Sequence, residues 1–278
     1  MVKTFVKKAV SQIYPLIKSP PDFLIVGVQR AGTTSLYEHL LQHPQIIVSH
    51  SLRETYYFDQ PENYSKGFNW YLGHFPAKVK KGDKLTFEAS PSYLFYPDIP
   101  KRIKHDLGDI KMIVLLRDPV DRAYSAWQMY HSYSYNQHQH LRDRADHRSF
   151  AEAIQQEFNP ETNQAQYPYN YINRGKYVDQ LENYYSYFSR DNILLLSFDE
   201  FCQNLESVLN QVCNFLEIES FSSQDIEKFK QKKSAAAPYE TAPEDEQVLA
   251  QLREYFAPFN ERLYNLVNRD YNWSKPTI

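Results

Sequence analysis

Glycine is scarce in this chain, with seven residues in 278, roughly a third of the ~7% usual for globular proteins. That excludes collagen-like and glycine-rich low-complexity architectures, and it makes two glycines five residues apart in one loop informative. Cysteine is scarcer, at two residues, so the fold is not a disulfide scaffold. Leu205, Val208, Leu209, Val212 and Leu216 have helical spacing. If that helix carries both Cys202 and Cys213, they stand about 16 Å apart along its axis, beyond the roughly 7 Å that a disulfide spans. Reduced thiols, and with them a cytoplasmic location, are therefore expected. No apolar run approaches the ~20 residues of a membrane span. Residues 1–22, read as an N-terminal extension, show no continuous leader core. A dominant charge is missing too. The 31 Lys+Arg and 34 Asp+Glu leave a net charge of −3, which argues against a nucleic-acid partner held by bulk charge.

What is present is apolar and aromatic. A 42% hydrophobic share with 23 Tyr and 17 Phe is enough to bury a sizeable core and excludes disorder. Strand-like runs lie at Phe23–Gly27, Ile46–Val48, Leu85–Glu88, Lys111–Arg117 and Ile193–Phe198, alternating with helical patterns such as Thr34 to Gln42. Unbroken runs between helices indicate strands covered on both faces. The expected fold is α/β, a single P-loop-like domain over residues 23–278 with a central parallel sheet flanked by helices. A last helix is expected from Pro243, with Pro258 interrupting it. Residues 130–166 are polar, without strand signals, and read as a lid or acceptor-binding insertion.

The sharpest signal is Gly27-Val28-Gln29-Arg30-Ala31-Gly32-Thr33-Thr34-Ser35, directly after the first strand and opening the first helix. Successive backbone amides and a helix N-terminus in that setting cradle an anion. The spacing is that of a P-loop, but Thr33 stands where a nucleotide hydrolase needs Lys, and Arg30 supplies a cation three residues earlier. The fourth run ends in Arg117 rather than a magnesium-binding Asp, and Ser125 follows one helical segment on. A guanidinium at a strand end suits a second phosphate. Two anion sites without an evident metal site describe a nucleotide phosphorylated at both ends of its ribose. Asp118 reads either as the N-cap before Pro119 or as a metal ligand.

These motifs resemble the sulfotransferases that use 3′-phosphoadenosine 5′-phosphosulfate (PAPS). Gly27 to Ser35 is similar to their 5′-phosphosulfate loop, and Arg117 to Ser125 to their 3′-phosphate segment. Arg53-Glu54-Thr55-Tyr56-Tyr57-Phe58-Asp59, Glu88-Ala89-Ser90-Pro91-Ser92-Tyr93 and Leu252 to Asn260 are similar to blocks of the heparan sulfate N- and 3-O-sulfotransferase branch. The resemblance implies sulfuryl transfer from PAPS to a hydroxyl or amine, most simply on a glycan acceptor, without a metal. It implies Glu54 as general base and Arg30 as the charge at the bridging oxygen. It also implies nucleotide contacts from Arg30, Ala31, Gly32, Thr33, Thr34, Ser35, Arg117 and Ser125, with Lys233 from the basic Lys232-Lys233-Ser234 loop. Arg30 replaces the heparan branch's Lys, as in tyrosylprotein sulfotransferases, so electrostatic stabilisation takes the place of proton donation. Ala89 replaces the Lys of that branch's E-K-T-P block.

Other features have plainer readings beside the chemical ones. His131, His138, His140, Asp143, Asp146 and His147 match no standard zinc spacing. Tyr167, Tyr169, Tyr171 and Tyr177 read as packing or as a stacking surface. Arg174-Gly175-Lys176-Tyr177 stands before a helix, where it can position nucleotide or acceptor. A magnesium-dependent P-loop kinase and a non-catalytic nucleotide-fold binding module remain as alternatives.

Overall fold

The computed structural model describes residues 13–48, 53–159, 169–231 and 243–273. Its main elements are β1 (Phe23–Gly27), α1 (Thr33–Leu40), β2 (Phe87–Ala89), α2 (Ile99–Leu107), β3 (Lys111–Leu116), α3 (Pro119–Ser132), α4 (Phe150–Phe158), α5 (Tyr177–Tyr185), β4 (Ile193–Ser197), α6 (Phe198–Gln203), α7 (Leu205–Leu216), α8 (Ser223–Gln231) and α9 (Glu246–Val267). The four strands form one parallel sheet in the order β2-β1-β3-β4. Phe23 to Val26 of β1 and Met112 to Leu116 of β3 are wholly buried, which explains why these strands read as unbroken apolar runs. Phe23 lies opposite Phe87 on β2, and their rings stack with centroids 4.7 Å apart.

The chain divides into two compact units. One, Met1–Leu116 with Asn183–Ser234, holds the whole sheet together with α1, α2, α6, α7 and α8. The other, Arg117–Glu182 with Ala235–Ile278, holds α3, α4 and α9. Its core gathers Tyr130, Phe150, Ile154, Tyr171, Leu252 and Phe256. Among the described residues no helix is long and apolar enough to cross a membrane.

Four sequence expectations are corrected. Ile46–Val48 makes no strand; a single parallel bridge joins Ile46 to Leu85, and β2 itself begins at Phe87. Cys202 and Cys213 are not on one helix: Asn204, at φ −138° and ψ 61°, ends α6 before α7 starts. Both thiols are free, Cys202 exposed and Cys213 buried. Pro258 does not interrupt the last helix but lies inside α9. Apolar anchors on both sides of it, Leu249, Leu252, Phe256 and Leu263, are buried and outweigh one missing amide bond.

The described part of the 130–166 stretch is ordered by helices rather than by loop structure. Tyr130 belongs to the last turn of α3, and α4 begins at a capping box in which Ser149 and Glu152 exchange hydrogen bonds with each other's backbone amides. Phe150, Ala153 and Ile154 then face inward with no exposure. Residues 160–166 of that stretch lie outside the described residues.

Candidate active site

β1 delivers the chain into the phosphate loop from fully buried backbone. The Val28 amide is fixed to the Leu115 carbonyl at 3.0 Å, and the Ala31 amide turns back to Val28 at 3.1 Å. Arg30 and Gly32 both take left-handed backbone conformations, with φ of 72° and 82°. For Gly32 that conformation is easy, and a Cβ there would also meet the Phe198 ring at 3.1 Å. For Arg30 it is an uncommon conformation of the kind found at functional loops. The ladder of α1 starts with the Leu36 amide bonded to the Gly32 carbonyl at 3.0 Å. The amides of residues 33–35 therefore precede that ladder, the position from which a helix start addresses an anion. Thr33, where a hydrolase would place Lys, is buried, and Thr34 is exposed. This backbone, with Arg30, fits an anionic phosphosulfate.

Arg53 joins this loop to the base candidate. Its Nη1 donates to Thr34 Oγ1 at 2.9 Å, and its Nη2 donates to Glu54 Oε1 at 2.7 Å. Tyr56 donates its hydroxyl to Glu54 Oε2, so both carboxylate oxygens are oriented. The sequence pairs Arg53 with Glu54 alone. The link to Thr34, nineteen positions earlier, has no signature in spacing. On the other side of this segment, the Ala89 amide donates to the Arg53 carbonyl at 3.3 Å. Ser92 donates to Asp59 Oδ2 at 2.5 Å.

The expected 3′-phosphate segment belongs to the second unit. Asp118 is the N-cap of α3: its Oδ1 accepts from the amides of Val120 at 2.7 Å and Asp121 at 3.3 Å. Burial first, and the nearby Asp121 second, push the Asp118 carboxyl up to about 7. The cap thus accounts for Asp118, and Pro119 occupies the first helical position. Arg117, just before the cap, is fixed through its carbonyl, which accepts from the buried Tyr177 hydroxyl at 3.0 Å. Ser125 is wholly buried two turns into α3. Gly175 has a packing reason to be glycine, because a Cβ there would lie 2.8 Å from Phe256 and 2.9 Å from Pro119. Tyr171 and Tyr177 are core residues, and Tyr169 stacks on Tyr171 at 5.8 Å. These tyrosines pack; Tyr167 lies outside the described residues.

The histidine-rich stretch is structural where it is described. Asp146 is gripped by Arg148 Nη2 at 2.6 Å and Nε at 2.8 Å, and accepts from Tyr171 at 2.8 Å. His131 contacts the Asp146 carbonyl, and His147 contacts Ser134. No group of three or more His, Cys, Asp or Glu placed to hold a metal occurs among the described residues. Arg30, Ala31, Gly32, Thr33, Thr34, Ser35 and Glu54 belong to one unit, and Arg117 and Ser125 to the other. Lys233 lies outside the described residues.

Comparisons with known proteins agree with this chemistry. The family model "Sulfotransferase domain" matches residues 20–249. Heparan sulfate glucosamine 3-O-sulfotransferase 5 of Mus musculus is 26% identical over 94% of this chain and 76% of its own length. Heparan sulfate glucosamine 3-O-sulfotransferase 3B1 of the same species is 28% identical over 92% of this chain and 65% of its own. A solved sulfotransferase from Alicyclobacillus acidocaldarius superposes with a TM-score of 0.73 at 28% identity, covering 92% of this chain and all of that one. The chain belongs to the sulfotransferase family and is a PAPS-dependent sulfotransferase.

Proposed function

We propose that the acceptor is a hydroxyl on a glucosamine-containing, heparan-sulfate-like glycan, and that Glu54 is the base that takes its proton. The acceptor class is supported by the two 3-O-sulfotransferase relatives. The observation that carries the assignment of the site is the Arg53 bridge between Thr34 of the phosphate loop and Glu54. It ties a carboxylate to the loop suited to the donor's phosphosulfate, which in-line transfer requires. PAPS, as co-substrate, supplies the activated sulfuryl group and adenosine 3′,5′-bisphosphate as leaving group.

The chain's residues have complementary tasks. Each carboxylate oxygen has two lone-pair directions, so Glu54 can hold Arg53 and Tyr56 and still accept the acceptor proton as the oxygen–sulfur bond forms. Arg30, the amides of Gly32 and residues 33–35, and the hydroxyls of Thr33, Thr34 and Ser35 offset negative charge on the phosphosulfate side, while the Ala31 amide, turned back to Val28, shapes the loop. Arg117 and Ser125 hold the 3′-phosphate, with Lys233 as a further cation. Cytoplasmic residence belongs to the same proposal, supported by two free cysteines on separate helices.

The test is transfer of labelled sulfate from PAPS to heparan sulfate, followed by disaccharide analysis. Labelled glucosamine units are expected. Glu54→Gln should lose about 100-fold or more in turnover, the scale of general-base catalysis, while affinity for adenosine 3′,5′-bisphosphate stays within about twofold. Absence of label in the glycan would overturn the acceptor assignment, and full turnover by Glu54→Gln would overturn the base.

A further inference from the structure

Glu88 of β2 is a buried carboxylate that receives five hydrogen bonds. Its Oε1 accepts from the Thr55 amide at 3.1 Å, Thr55 Oγ1 at 2.7 Å, Ser90 Oγ at 2.6 Å and the Tyr93 hydroxyl at 2.7 Å. Its Oε2 accepts from the Tyr71 hydroxyl at 2.7 Å. The residue is 2% exposed, so the solvation lost on burial has to be made good by these donors. Tyr93 extends the network, with its hydroxyl accepting from the Tyr57 amide at 3.1 Å. The Tyr57 amide also reaches Thr55 Oγ1 at 3.2 Å.

These bonds have a direction. On one side, the segment after β2 is registered on β1: Glu88 lies opposite Leu24, the Ser90 amide bonds the Ile25 carbonyl at 2.9 Å, and the Leu94 amide bonds Val26 at 2.8 Å. β1 then runs directly into the phosphate loop. On the other side, Glu88 grips Thr55 through both its amide and its hydroxyl, one residue beyond Glu54. A carboxylate accepts only, and several donors at once, so one side chain clamps the base segment to the strand beside the phosphate loop.

We propose that Glu88 is a positioning residue for sulfuryl transfer, holding Thr55 so that the Glu54 carboxylate keeps a fixed place relative to the phosphate loop. The proposal rests on the assignment of Glu54 as base. Glu88 touches neither donor nor acceptor; its effect passes through Thr55. The Tyr71 hydroxyl bonds the same carboxylate, while its ring stacks on Tyr57 at 4.6 Å and meets Phe58 at 5.3 Å. Tyr71→Phe keeps those ring contacts and removes only the bond to Glu88, which makes it an internal control.

The experiment compares Thr55→Val, Thr55→Ser and Tyr71→Phe in the full chain, with Glu88→Gln and Glu54→Gln alongside. The probes are PAPS with heparan sulfate for turnover and adenosine 3′,5′-bisphosphate for binding, with unfolding midpoints recorded for each. Thr55→Val and Tyr71→Phe each remove one donor from Glu88. Thr55→Val should lower kcat about tenfold or more, the scale of one misplaced catalytic contact. Thr55→Ser and Tyr71→Phe should stay within about twofold of the parent, and nucleotide affinity should hold throughout. Glu88→Gln, if it folds, should lose at least as much kcat as Thr55→Val. An unchanged kcat in Thr55→Val, or an equal fall in Tyr71→Phe, would reduce Glu88 to a general packing group and overturn the proposal. Glu54→Gln separates the two claims. Loss there with a normal Thr55→Val removes the positioning role alone, whereas full turnover there removes the base on which it rests.

Discussion

Asp118 holds the start of α3 with a carboxyl raised from an ordinary 3.8 to about 7. The native state therefore binds this proton more tightly than the unfolded chain does. The resulting stabilisation is complete below the unfolded value and is lost as pH rises from about 4 through about 7, an effect of a few kcal/mol at most. Asn caps as well as Asp and does not titrate, so Asp118→Asn should flatten the stability profile across that window in denaturant titrations. Equal slopes in both proteins would remove Asp118 as the cause. Arg117, its neighbour, should matter to the nucleotide. Arg117→Ala is expected to weaken adenosine 3′,5′-bisphosphate by about 10- to 100-fold, the worth of a charge-assisted contact, and adenosine 5′-phosphate far less. Equal weakening would leave Arg117 with only the structural task its carbonyl performs for Tyr177. The Arg-Asp-Pro cap was legible in sequence because it depends on adjacent residues alone. The Arg53 bridge and the Glu88 clamp were not, since each joins positions brought together only by folding.

At the scale of elements, α9 is the unusual one, with an exposed proline in the middle of a 22-residue helix. Proline removes one amide bond and crowds the preceding turn, a cost of about 3 kcal/mol in a helix interior. Pro258→Ala should therefore raise stability by roughly 1–3 kcal/mol, the lower figure allowing for a less restricted unfolded chain. Thermal unfolding would show it, and a lowered midpoint would mean that the proline adjusts the helix to its packing. The sequence located β1, β3 and β4 because buried parallel strands leave continuous apolar runs. It overextended at Ile46–Val48, where pattern exists without a ladder, and it passed over α4. There the polar composition hid a helix whose start, Ser149-x-x-Glu152, was written in the chain. Pro258 misled for the opposite reason: local propensity lost to the buried face on either side of it.

At the scale of the whole molecule, ligand-linked stability is the most direct probe. Adenosine 3′,5′-bisphosphate at one hundred times its dissociation constant adds about 2.7 kcal/mol, which should raise the unfolding midpoint by roughly 5 °C or more in a protein of this size. ATP with magnesium should produce no comparable shift, and the reverse pattern would favour kinase chemistry. The sheet also sets what this chain can tolerate as it diverges. β3 and β4 lie side by side, with Met112 opposite Ile193, so to the sheet all that lies between Leu116 and Ile193 is a single closed excursion. The entropy of closing such an excursion grows only logarithmically with its length, by about 0.6 kcal/mol per doubling. A lineage can therefore lengthen or trim the surface connections of that stretch at little entropic penalty, whereas Tyr130, Phe150, Ile154 and Tyr171, packed in its core, resist change.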